Sequence, residues 1–98
     1  MPRFHDKTRW KKRSRMILSR DNYLDMVALR FFGIRQEADM VHHIYPVEDY
    51  PEFAYAEWNL ISTSRKTHNR LHYADGSLTP LGQTLLDSVT PGQTWRKQ

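Results

Sequence analysis

Four of the five histidines in this 98-residue chain lie within residues 41–72, and their order restricts the folds open to it. His42 and His43 are adjacent near the end of an apolar, β-prone run, Ala38 to Ile44, which Pro46 closes because proline has no N–H for a ladder. Asn59 stands directly ahead of a second apolar pair, Leu60-Ile61. His68 and His72 are spaced i, i+4, which puts both on one face of a helix. The pattern predicts a strand, a long connection, a returning strand and a helix: a β-hairpin packed on a helix. His42 and His43 would then sit at a strand end facing the helix that carries His68 and His72. Adjacent strand residues point to opposite faces. Both can therefore reach one site only where the strand loses regularity, near Tyr45-Pro46.

The residue types point to metal-assisted hydrolysis. Neutral imidazoles suit a divalent cation, and an imidazole beyond the ligand set can serve as a general base. In this reading His42, His68 and His72 bind one cation and leave positions open for a phosphate oxygen and water. His43 then takes the proton from the attacking water. A histidine base needs its far nitrogen held, often by a backbone carbonyl, to fix the tautomer. Asn59 is placed to bridge the two ends of the loop and hold that carbonyl. Arg65, one turn before His68, and Arg70 or Lys66 nearby can hold a phosphate oxygen. Each element has a blander reading: a buried strand histidine is usually a hydrogen-bonded core residue, and a lone i, i+4 histidine pair is weak. The combined spacing (His-His, fifteen residues, Asn, eight, His, three, His) is the strong signal.

Charge adds a partner. Residues 1–20 hold eight Lys/Arg against Asp6 alone, hence +7, whereas the remaining 78 residues carry seven basic and ten acidic side chains, hence −3. A basic arm on a mildly acidic body points to a polyanion, with Lys11, Lys12, Arg13 and Arg15 as the candidate DNA contacts. A solvated basic face is the plain alternative. At this length the chain is one domain, able to bury roughly 60–65% of its unfolded surface. It has no Cys, so neither disulfides nor a thiolate zinc site can staple it. No apolar run approaches the ~20 residues of a membrane span. The N-terminus is basic without an apolar h-region, so no secretory signal is expected, and a cytoplasmic setting is.

The rest of the chain supplies a scaffold. Residues 1–7 are expected to form a flexible basic arm, and Thr8 can cap a helix to about Ser19 with Trp10, Met16, Ile17 and the stem of Arg13 inward. Tyr23 to Phe32 reads as a second helix, with Leu24, Val27, Ala28, Leu29, Phe31 and Phe32 in the core and Gly33 after its end. Residues 34–37 form a turn. The connection 45–58, with two prolines and three tyrosines, reads as a packed loop. Asn59 to Ser62 returns as a strand, and Ser62, Thr63 or Ser64 can cap the histidine helix, which runs to about Tyr73. Asp75-Gly76 is a turn. Thr79-Pro80 opens a last helix, placed at 77–90, with Leu81, Leu85, Leu86 and Val89 inward.

Val-His-His-Ile-x-Pro, Asn-Leu-Ile and Thr-His-Asn-Arg-Leu-His resemble the three signature blocks of the HNH endonucleases, the α+β ββα-metal fold, over residues 8–73. The resemblance implies His43 as general base, Asn59 as the residue that fixes the loop, and His42 and His68 as metal ligands. His72 matches the extra ligand of the histidine-rich branch that includes the colicin DNases; some relatives use an Asn near Asn69 instead. It also implies one divalent ion (Mg, Mn, Ni or Zn) and cleavage to 5′-phosphate and 3′-hydroxyl ends. Many relatives carry two Cys-x-x-Cys pairs for a structural zinc, which by spacing would fall at Asp25/Ala28 and Ser64/Thr67, where this chain has no cysteine. Without that zinc, packing by the apolar segment Leu24–Phe32 is expected to take its place. Trp10, Ile17-Leu18-x-Arg20-Asp21, Pro51-Glu52-x-Ala54 and Leu78-Thr79-x-x-Gly82 further resemble small HNH proteins of tailed phages and prophages that act with the terminase in genome packaging. That likeness implies DNA and the terminase or other packaging proteins as partners, in the host bacterial cytoplasm.

The function expected is a metal-dependent DNA endonuclease. Two readings of other classes stay open: a non-catalytic zinc-stabilised DNA-binding module with all four histidines as ligands, and a phage scaffolding protein whose basic arm docks another protein.

Overall fold

A computed structural model describes residues 7–93; residues 1–6 of the expected basic arm lie outside the described residues. The order of elements is α1 (Lys7–Arg20), α2 (Met26–Phe32), β1 (Met40–His43), two 3-10 turns (Pro51–Phe53 and Glu57–Asn59), β2 (Leu60–Thr63), α3 (Arg65–His68) and α4 (Pro80–Asp87). Strands β1 and β2 pair antiparallel, with Val41 opposite Ser62, His42 opposite Ile61 and His43 opposite Leu60. The expected α+β architecture, a hairpin with a long loop packed on a helix and flanked by helices, is what forms.

The hairpin lies between two apolar clusters. On one side Val41 and Leu60 pack with Ile17 of α1, flanked by Trp10 and Leu18. On the other, Ile44 and Ile61 join Met26 and Val27 of α2, Leu71, and Leu85 and Val89 at the C-terminal end. The alternation of Leu60 and Ile61 along β2 separates the two clusters, as a period of two requires.

α1 is built from good helix formers and has Arg20 in its last turn, where a cation complements the helix dipole. Lys7, the first described residue, is already helical, so Thr8 lies within the helix and is not its cap. Met16 is 41% exposed, contrary to its expected inward place. Beyond α1 the chain reverses through Asn22 and Tyr23, both at φ 57°. That left-handed backbone is costly for an aromatic residue, on the order of 1–2 kcal/mol. Backbone bonds hold it there, from Tyr23 N–H to the Leu18 carbonyl and from Ala38 N–H to the Tyr23 carbonyl, both 2.8 Å.

α2 begins three residues later than its apolar pattern predicts. Asp25 caps it, accepting the Ala28 N–H at 2.9 Å, and Leu24 instead forms an isolated bridge with Glu37. Gly33, at φ 66°, closes the helix, with Gly33 N–H on the Leu29 carbonyl and Ile34 N–H on that of Ala28. Phe32 is 47% exposed rather than core, and Arg70 lies over its ring at 5.6 Å.

The positions expected to hold zinc-binding cysteines carry a polar network instead of apolar packing. Asp25, 0% exposed, accepts from Ser64 N–H (3.0 Å), the Ser64 hydroxyl (2.8 Å) and the Gln36 amide (2.9 Å) on one oxygen, and from Ala28 N–H on the other. Burial pushes the Asp25 pKa up, but these donors and the Thr67 hydroxyl outweigh it and hold the group below its ordinary value. The network joins the start of α2 to the start of α3, which the apolar segment alone does not do.

Candidate metal centre and its catalytic surroundings

Ser64 caps α3 by accepting the Thr67 N–H at 3.2 Å. The helix is shorter than the sequence pattern suggests. It ends at His68, and the next turn is closed by i→i+3 bonds, Arg70 N–H to Thr67 and Leu71 N–H to His68. His72 therefore lies beyond the helix, in a bridge with Leu78. It still meets His68, because the tightened turn keeps both rings on one side: their centroids are 5.2 Å apart. Thr79 anchors this segment to α4. Its N–H donates to the Leu71 carbonyl (3.0 Å), its hydroxyl to that of Arg70 (2.6 Å), and the same hydroxyl caps α4 at Gly82.

His42 completes a triangle. Its ring lies 5.3 Å from that of His68 and 5.0 Å from that of His72, and one donor atom from each of the three can be chosen so that all lie within 4.8 Å of one another. His42 is 1% exposed, and neither of its ring nitrogens has a hydrogen-bond partner among the described residues. A buried, unpartnered imidazole is rare, because desolvation without a compensating bond is costly. Beside two more imidazoles, a shared cation is the chemistry that satisfies it. The His72 Nδ1–H donates to the Gly76 carbonyl (3.2 Å), which leaves the Nε2 lone pair for a ligand. Burial, followed by the neighbouring imidazoles, pushes the His42 pKa well below its ordinary value. Burial, His72 and Arg65 lower that of His68. His42 and His68 therefore suit a cation better than a proton.

His43 lies on the other face of β1, as strand alternation demands. The strand stays regular through both histidines and does not loosen to bring them together. Its ring stacks on Trp10 of α1, with centroids 4.9 Å apart and planes 18° from parallel. Nε2–H donates to the Ala54 carbonyl at 3.0 Å, so Nδ1 bears the lone pair. Burial, with His68 and His72 acting in the same sense and the Ala54 bond opposing, lowers its pKa to about 4. The ring is thus neutral at pH 7, and the field of the histidine cluster reaches it.

Asn59 is 0% exposed and ties the loop together. Its Oδ1 accepts the Tyr45 N–H at 2.6 Å, and its Nδ2 donates to the carbonyls of Tyr45 and Phe53, both at 3.1 Å. It therefore holds the carbonyl next to the one on His43, not that carbonyl itself.

The expected cationic residues are spread around this centre. Arg65, Lys66 and Arg70 are exposed on and after α3, and Asn69 is exposed at its C-terminus. Lys11, Lys12 and Arg15 are exposed on α1, whereas Arg13 pairs with Glu57 at 3.0 Å. Trp10, stacked on His43, and Gly76, whose carbonyl takes the His72 N–H, have places in the site that spacing did not assign. Their partners are remote in sequence or are backbone carbonyls, which leave no trace in a residue pattern.

No family model matches the sequence, and no curated protein is significantly similar to it. Among solved structures, the chain is similar to the HNH endonuclease of the deep-sea thermophilic bacteriophage GVE2, solved with a manganese ion. The two are 30% identical with a TM-score of 0.59, over 62% of this chain and 65% of that one. The chain thus matches just under two thirds of that protein's length. The fold, a two-stranded antiparallel hairpin with helices and a histidine cluster beside it, is similar to that of a phage HNH endonuclease.

Proposed function

We propose that this protein is a metal-dependent endonuclease that hydrolyses DNA phosphodiesters, with His42, His68 and His72 holding one divalent cation and His43 acting as general base. The observation that carries the reading is His42, a buried imidazole with both nitrogens unpartnered, facing two further imidazoles in an HNH endonuclease fold. Bound there, a divalent cation supplies positive charge for a phosphate oxygen at the scissile bond. His43 accepts the proton of the attacking water at Nδ1, while the Ala54 carbonyl holds its tautomer and Trp10 its ring plane. Asn59 keeps the loop that bears Ala54 closed. Arg65, whose charge already acts on His68, and Arg70 hold the phosphate, and Lys11, Lys12, Arg13 and Arg15 of α1 hold the duplex.

A zinc module with four histidine ligands fits less well, because His43 stands outside the three-donor cluster and spends Nε2 on a carbonyl. The manganese in the phage enzyme supports a divalent cation here, and its phage origin supports a phage setting, in the host cytoplasm; a place in genome packaging with terminase as partner rests on the sequence resemblance alone. No helix among the described residues is long and apolar enough to cross a membrane. Cleavage of supercoiled plasmid by the purified protein, across Mg, Mn, Ni and Zn, tests the reading. Cutting that EDTA abolishes is the expected result; no cutting with any metal refutes it.

A further inference from the structure

The Arg20 guanidinium, in the last turn of α1, reaches the returning side of the hairpin. Arg20 donates from Nε to Asp21 Oδ1 at 2.9 Å and from Nη2 to Asp21 Oδ2 at 3.0 Å. Its Nη1 also donates to the Glu57 carbonyl at 2.9 Å, and Nη2 to the Leu60 carbonyl at 2.7 Å. Those two carbonyls stand on either side of Trp58-Asn59. The Asp21 side chain is 0% exposed, and its Oδ2 accepts the Ser62 N–H at 3.0 Å, so the carboxylate that orients Arg20 is itself tied to β2. A planar guanidinium with its donors in a fixed fork is the side chain that can serve all these acceptors at once.

From Asn59 the connection runs to the base. Asn59 Nδ2 holds the Phe53 carbonyl, Ala54 follows Phe53, and the Ala54 carbonyl takes the His43 Nε2–H. None of the hydrogen bonds Arg20 makes among the described residues goes to His42, His68 or His72. Arg20 is thus connected to the base side of the site and not to the metal side. Building on the nuclease reading, we propose that Arg20, oriented by Asp21, is a positioning residue for the reaction: it fixes the backbone on both sides of Asn59, and so the carbonyl that aims His43.

The test is Arg20→Lys, which keeps the charge and loses the fork. Plasmid cleavage, Mn²⁺ titration calorimetry and the NMR signals of the Asn59 side-chain amide are measured on the full chain. The expected result is a fall in kcat of about 10- to 100-fold, the scale of a misplaced catalytic group. KM for DNA and Mn²⁺ affinity should change little, and the Asn59 amide protons should shift and exchange faster. Unchanged kcat with an unshifted amide overturns the proposal. So does a rise in KM at constant kcat, which would make Arg20 a phosphate ligand, or a parallel loss of Mn²⁺ affinity, which would make the damage global. If the wild-type protein cuts no DNA, the nuclease reading fails by itself, and the Asn59 amide still decides whether Arg20 sets this loop. Should Arg20→Lys not melt cooperatively, Asp21→Asn carries the same readouts, with a smaller fall in kcat expected.

Discussion

The His43 imidazole stacks on Trp10 with ring centroids 4.9 Å apart, which brings a helix rich in Lys and Arg into direct contact with the proposed base. Trp10 also meets Tyr55 edge-on at 6.3 Å, and the Arg9 guanidinium lies 3.7 Å from the Tyr55 ring centroid. Removing the indole frees one wall of the His43 pocket.

Trp10→Ala is therefore expected to lower kcat several-fold, in line with the ~0.5–1.5 kcal/mol attributed to such ring pairs. Mn²⁺ affinity should stay within error, because Trp10 is not among the three donors. Steady-state kinetics with calorimetry checks this; an unchanged kcat would show that the stack does nothing for the base.

Asp25 sets a limit on acid stability. Its pKa is lowered in the folded chain, so the stability it contributes is fully present above the unfolded carboxylate value of about 3.9 and is lost as pH falls through the folded value. Asp25→Asn should flatten the stability profile below about pH 4 and, by weakening a buried network, cost about 1–3 kcal/mol near neutrality. Because this network joins the starts of α2 and α3 without a metal, EDTA-treated protein should still melt cooperatively. Chemical denaturation from pH 2.5 to 7 measures the first, and calorimetric melting with EDTA the second; a non-cooperative apo form would contradict the account.

Gly82 lies inside α4 because the helix packs on the Leu71 backbone, where a Cβ would meet the Leu71 carbonyl. An ordinary helix gains from Gly→Ala by up to about 1 kcal/mol. Gly82→Ala should instead destabilise by about 1–3 kcal/mol, the scale of overpacking. Since Leu71 precedes His72, Mn²⁺ affinity should fall as well. A stabilised variant would show that α4 does not sit this close.

How much of this was legible in the sequence depends on distance along the chain. The meeting of His42 with His68 and His72 follows from two short patterns, an apolar run ending in histidine and an i, i+4 pair, so the hairpin and the site could be read together. The end of α3 at His68 could not, because Thr79 and the bridge to Leu78 draw the chain out of the helix from a later segment. Nor could the network of Asp25, Gln36, Ser64 and Thr67: each residue is an ordinary cap or turn residue by itself, and only folding brings the two caps to one carboxylate. The apolar stretch Leu24–Phe32 is the stronger pattern in that region of the sequence, yet its last residue is exposed.

Lys11, Lys12 and Arg15 are exposed on α1, while Arg13 is engaged by Glu57. Replacing all four with Gln should weaken DNA binding several-fold or more and lower the log–log salt slope by about 0.9 for each phosphate no longer neutralised. Arg13 should contribute least, because it must first leave Glu57. Turnover at saturating DNA should change far less than affinity. Fluorescence anisotropy over a salt series measures the slope, and an unchanged slope would point to a protein partner for this face.

The proposed division of the histidines, three that hold a cation and one that moves a proton, is tested most directly by His43→Ala. Cleavage of supercoiled plasmid and Mn²⁺ titration calorimetry are run on the same preparation. The predicted result is a loss of roughly 10²–10⁴ in rate, the worth of a general base, with Mn²⁺ affinity retained. Loss of Mn²⁺ binding together with cleavage, or cleavage at the wild-type rate, would contradict it.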